Sequence, residues 1–118
     1  MASRRSRVPE SSETLRAFLS DHLPAAVNEL DSATAELLRS GWEEARRRHA
    51  HGLAEALAEA ASRHALKELA GAARAAASLL RLTAEEVRDL EGPLREKFAE
   101  LTDLLREMAE DLRGRESA

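Results

Sequence analysis

From Val87 onward, Leu90, Leu94, Phe98, Leu101, Leu105, Met108 and Leu112 recur every three or four positions, a spacing that lines one face of an α-helix and fits no β-strand. The same period runs through Val27, Leu30, Leu37 and Leu38, and again through Leu66, Leu69, Ala70, Ala73, Ala77 and Leu80. A chain patterned in this way buries its apolar stripes by packing helix on helix. The residue types agree. Apolar residues make up 43% of the chain and aromatic ones only 3%, so alanine and leucine must fill the core, and strand formers are too scarce to build a sheet. An all-α fold is expected.

The 118 residues amount to about one domain, enough to bury a core without a metal or a staple. There is no cysteine, which excludes disulfides, thiolate nucleophiles and sulfur-bound zinc. A net charge of −4 gives no general attraction for nucleic acid. No apolar run approaches the roughly 20 residues that span a bilayer. Residues 1–9 are basic but lead into a polar, acidic stretch, not the apolar core of a secretory signal. The expectation is a cytoplasmic protein that binds neither nucleic acid nor membrane.

Local signals place the helix boundaries. Residues 1–11, with Arg4, Arg5 and Arg7 and no apolar period, read as a disordered basic tail. Ser11 or Ser12 can cap a short first helix carrying Leu15, Phe18 and Leu19. Pro24 should interrupt it, because proline has no N–H for a helix interior, and should open a second helix capped by Asp21. That helix should stop at Ser40 and Gly41. A third is expected from about Trp42 to Ala61, and a fourth, capped by Ser62 with His64 in its first turn, should follow through a turn short enough to force antiparallel packing. Its segment GAARAAAS offers a seam for close helix approach. Thr83 and Glu86 have capping-box spacing, with Leu82 and Val87 placed to staple across the helix start, so a last helix begins at Ala84. Gly92-Pro93 should kink or break it, and residues 113–118 should fray. The folded unit is therefore 12–112, and Phe18, Val27, Leu30, Leu37, Leu53, Leu57, Leu66, Leu69, Leu90, Leu94, Phe98 and Leu101 are its expected core.

Within Trp42 to Arg63 the buried stripe is expected to be Trp42, Ala45, His49, Leu53, Ala56, Leu57 and Ala60. His51 lies roughly 200° around the helix from Leu53 and so should face solvent. His49 and His51 are two positions apart, on different faces, and no Glu-x-x-His string joins them, so no metal site is expected. Neither a phosphate-binding glycine loop nor a nucleophile elbow is present. The carboxylates are spread along the chain as helix-stabilising charge. Nothing points to an enzyme or to a cofactor.

A short first helix, a longer second, a third bearing a histidine, a tight turn, a fourth and a capped last helix make an order that resembles the histidine-phosphotransfer (Hpt) domain. That family is an antiparallel four-helix bundle with a short extra N-terminal helix, whose exposed histidine relays phosphate to and from aspartates of response-regulator receiver domains. Its histidine is followed by leucine at the second position, lysine at the third and glycine at the fourth. Here the string is Ala50-His51-Gly52-Leu53-Ala54-Glu55-Ala56. Leu53 matches, Ala54 stands for the lysine and Glu55 for the glycine, so a neutral methyl replaces a cation and a carboxylate adds charge and bulk beside the histidine. The resemblance implies a non-enzymatic module that docks a receiver domain or a histidine kinase. His51 would be its candidate phosphoacceptor, and Arg47, Arg48, Ala54, Glu55 and Ala58 its docking face. The alternative is a scaffold bundle that self-associates as a homo-oligomer, or binds a partner, through its last helix.

Overall fold

The computed structural model describes residues 15–117. The expected basic tail and the Ser11 or Ser12 cap lie outside the described residues. The elements are a π-helical turn Phe18–His22, α1 Leu23–Arg39, α2 Glu44–Arg63, α3 Lys67–Leu79 and α4 Ala84–Ser117. No strand occurs among the described residues. Helices α2 and α3 make the most extensive contact, α1 packs on α2, and α4 packs on both α3 and α1. At 34 residues α4 is about 51 Å long, which accounts for most of the 56 Å long axis of the molecule.

Pro24 does not separate two helices. Residues 15–17 are already helical, and the chain runs through the π turn into α1 without leaving the helix. The widened turn is the reason. The N–H of Leu23 reaches back five residues to the carbonyl of Phe18, so the ring of Pro24 enters a turn with room for it and its missing donor falls at the start of α1. Asp21 makes no capping bond, because the junction has no free helix end to cap. Pro93 likewise sits inside a continuous α4, so of the kink or one-turn break expected at Gly92-Pro93 the break does not occur. Residues 113–117, expected to fray, continue that helix.

The turn after α1 departs from expectation at Trp42. Gly41 takes the left-handed conformation at φ 77°, as a helix-ending glycine should, but Trp42 follows it there at φ 70°. The third helix consequently starts at Glu44. The turn between α2 and α3 is also left-handed, at Ala65 (φ 57°), and the N–H of Leu66 bonds back to the carbonyl of Ala61 at 2.9 Å. Ser62 therefore lies in the last turn of α2 and does not cap α3, and His64 closes α2 with its ring stacked on Phe18 at 4.7 Å. The capping box forms as the sequence indicates: the Thr83 N–H donates to Glu86 Oε1 at 3.2 Å, and the Glu86 N–H donates to Thr83 Oγ1 at 3.3 Å.

The largest correction concerns the rotation of α2. Its buried residues are Ala50, Ala54, Leu57, Ala58 and Ala61, and they face Leu69, Ala70, Ala73, Ala76 and Ala77 of α3 in one shared core. Ala45, His49 and Ala56, expected inside, are exposed, and Leu53 and Ala60 are half-buried. The helix has turned by about one residue, roughly 100°. Alanine buries completely at no cost in side-chain entropy, so two alanine faces approach closest, and the bulkier Leu53 is displaced to the rim of that seam. Leu66 is likewise half-buried, and the Leu90 side chain lies outside the described residues.

Candidate functional site

The rotation of α2 decides where each sequence-predicted residue ends up. His51 is not a solvent-facing side chain: its imidazole is 20% exposed, in the middle of α2 at the edge of the α3 seam. Ala54 and Ala58, expected on a docking face, are 0% and 5% exposed. They lie between α2 and α3, Ala54 wholly inside the seam and Ala58 at its edge. Arg48 and Glu55 remain exposed, and Arg47 is half-buried.

Both ring nitrogens of His51 are engaged. Nδ1 lies 3.3 Å from Glu55 Oε1, one helical turn on. Nε2 accepts a hydrogen bond from the Arg81 Nε–H at 3.4 Å, and an Arg81 Nη2 to Glu55 Oε2 contact of 4.0 Å closes the triangle. A carboxylate accepts and a guanidinium donates, so the arrangement selects the neutral tautomer with its hydrogen on Nδ1 and its lone pair on Nε2. Glu55 thus lies against Nδ1, while the lone pair of Nε2 faces Arg81. Arg81, thirty residues away in the turn after α3, carries no signal along the chain, because helical periodicity relates residues only within one helix.

Arg47 and Arg48 are committed elsewhere. Arg47 grips Glu44 with two bonds, Nε to Oε1 at 2.8 Å and Nη2 to Oε2 at 2.7 Å, and Arg48 Nε adds a third at 2.9 Å. These bonds, that of Arg47 first, hold the Glu44 carboxyl down at about 2, and Glu44 in turn raises the Arg47 guanidinium. The remaining Arg47 donor, Nη1, reaches the carbonyl of Leu80 at 2.7 Å. Arg47 therefore caps the C-terminal end of α3, where free carbonyls collect negative potential.

Beside His51 an open cleft of about 440 Å³ runs between α2 and α3, lined by Glu55, Glu59, Arg74, Ser78 and Arg81 over a floor of Ala58 and Ala77. Arg74 crosses it to donate to Ser62 Oγ at 2.8 Å. His49 faces a different groove, with Ala25, Asn28, Glu29, Ser32 and Glu36 of α1. No group of three His, Asp or Glu side chains converges as metal ligands would among the described residues. Among those residues no helix is long and apolar enough to cross a membrane. Compared with models of known protein families, with curated proteins and with solved structures, the chain matches none.

Proposed function

We propose that this chain is a non-enzymatic signalling module, a degenerate histidine-phosphotransfer-like four-helix bundle that docks a receiver domain or histidine kinase and can take a phosphoryl group on His51. The observation that carries this reading is the polarised imidazole, with Glu55 on Nδ1 and Arg81 on Nε2. Attack by the Nε2 lone pair on an acyl or aspartyl phosphate forms the N–P bond as the P–O bond to the carboxylate leaving group breaks. The positive charge that develops on the ring is met by Glu55. Arg81, largely exposed and bonded at Nε2, supplies the cation that Ala54 does not. The lysine of the resembled motif has no counterpart to restore, since a lysine at position 54 would point into the α2–α3 seam.

Phosphorylation by acetyl phosphate, and by a phosphorylated receiver domain, tests this. The expected product is an acid-labile phosphohistidine that is lost in His51→Gln and kept in His64→Gln. Arg81→Ala should lower its yield by about tenfold, the loss of one charge-assisted hydrogen bond. A folded wild type that takes no label from either donor removes the relay, and with it the role assigned to His51. The alternative of self-association through α4 has little surface to use, because Leu104 (39% exposed) is the one exposed large apolar side chain among the described residues and a stable dimer buries about 800 Å² per partner.

A further inference from the structure

The open cleft beside His51 has walls of opposite charge. Glu55 and Glu59 stand on the α2 side, Arg74 and Arg81 on the α3 side, and the floor between them is Ala58 and Ala77, which project nothing across it. All four charged side chains are exposed. Their pairing within the chain is incomplete. Glu55 and Arg81 approach only to 4.0 Å. Arg74 donates to the neutral hydroxyl of Ser62 and meets no carboxylate, and Glu59 meets no cation among the described residues.

His51 meets Arg81 while Ser62 meets Arg74, so α2 and α3 run antiparallel and the two walls lie side by side along one seam. Glu55 is level with Arg81, and Glu59 stands three residues before the level of Arg74. A two-fold axis laid along this seam turns one copy over onto another, so that acidic wall meets basic wall on both sides. That is the self-complementarity an isologous dimer requires. We propose that a second copy of this chain docks on the α2–α3 face, with Glu55 against the partner's Arg81 and Glu59 against the partner's Arg74, each pair repeated by the axis.

Charge selects this occupant. A foreign partner would have to bring a basic row and an acidic row at the same separation, and this chain already carries them. Exposed ion pairs are individually weak and are screened by salt, so the dimer belongs with small, transient interfaces that form at high protein concentration and low ionic strength. It covers His51, and therefore competes with a receiver domain docking on the same face. It requires no phosphate, so it stands or falls apart from the relay.

Sedimentation equilibrium of the full chain over a range of concentrations, at about 20 mM and about 300 mM salt, tests it. Twice the monomer mass should appear as concentration rises at the lower salt, and dissociation should be at least about tenfold easier at the higher. Glu55→Arg with Glu59→Arg makes both walls basic, and Arg74→Glu with Arg81→Glu makes both acidic. Each double variant should be monomeric alone, and an equimolar mixture should recover the dimer, because every wall then meets its opposite. Circular dichroism confirms that both variants are folded. The proposal is overturned by a wild type that stays monomeric at the lower salt, by a mixture of folded variants that fails to associate, or by a dimer that survives either reversal, which would place the interface elsewhere.

Discussion

The indole Nε1–H of Trp42 donates to the backbone carbonyl of Leu82 at 2.7 Å, joining two turns 40 residues apart in the chain. The same residue is held at a positive φ that L-residues avoid, and its ring packs against Phe98 at a centroid distance of 6.0 Å. The bond and the burial together offset the backbone strain. Trp42→Phe keeps a ring but leaves the Leu82 carbonyl without its donor, so it should cost about 1–3 kcal/mol in urea unfolding. A cost within about 0.5 kcal/mol would show that the bond does not hold the turn.

The orientation of α2 can be read from a pair of enlargements. Ala54 is completely buried between two alanine faces and Ala56 is exposed. Ala54→Leu should therefore destabilise by about 1–3 kcal/mol or more through overpacking, while Ala56→Leu should stay within about 0.5 kcal/mol. Thermal melts of the two variants distinguish the observed phase of the helix from the opposite one, in which their order would reverse.

These residues also show where the sequence was legible. The all-helical class and the start of α4 could be read from period and from the Thr83–Glu86 spacing, because both signals act within a few residues of each other along the chain. The phase of α2 could not. Periodicity gives weight to leucines, and this helix carries only Leu53 and Leu57 among many alanines, so its buried face was chosen by the alanine face of α3. The same reason hid the site. His51 was visible as a histidine in mid-helix, but its half-burial followed from the rotation and its Arg81 partner from the packing of a distant turn. Pro24 misled in the other direction, since one wide turn absorbs what a regular α-helix could not.

At the start of α4, Thr83→Ala removes the hydroxyl that accepts the Glu86 N–H. The loss should be about 1 kcal/mol, the usual worth of a helix N-cap. Glu86→Gln retains an oxygen for the Thr83 N–H and should cost less. Guanidinium titrations of the two variants give the comparison, and equal losses would mean that the charge on Glu86 matters more than the bond geometry.

Acid should act on α2 through Glu44. Its carboxyl titrates at about 2 in the folded chain, below its ordinary value of 4.5, because of the bonds from Arg47 and Arg48. A carboxyl with a depressed folded pKa adds stability that is fully present above its unfolded pKa and is lost as pH falls through the folded one. The sensitive window therefore runs from about pH 4.5 down to about pH 2. Melting temperatures across it should fall less for Glu44→Gln than for the wild type, and the difference should shrink in high salt, as the group is at the surface. Parallel curves for the two proteins would remove Glu44 from the account.

The alanine seam has a consequence for how the chain reaches its fold. Helices α2 and α3 are joined by a three-residue turn, His64 to Leu66, so their docking closes almost no loop and orders side chains that have little freedom to lose. Helices α1 and α4 meet through pairs such as Asp31 and Arg106, which are 75 residues apart. The helical hairpin of α2 and α3 is thus expected to form the nucleus, with the two outer helices condensing on it afterwards. Every alanine in the seam that is enlarged would slow folding, whereas damage to the α1–α4 contact would chiefly hasten unfolding.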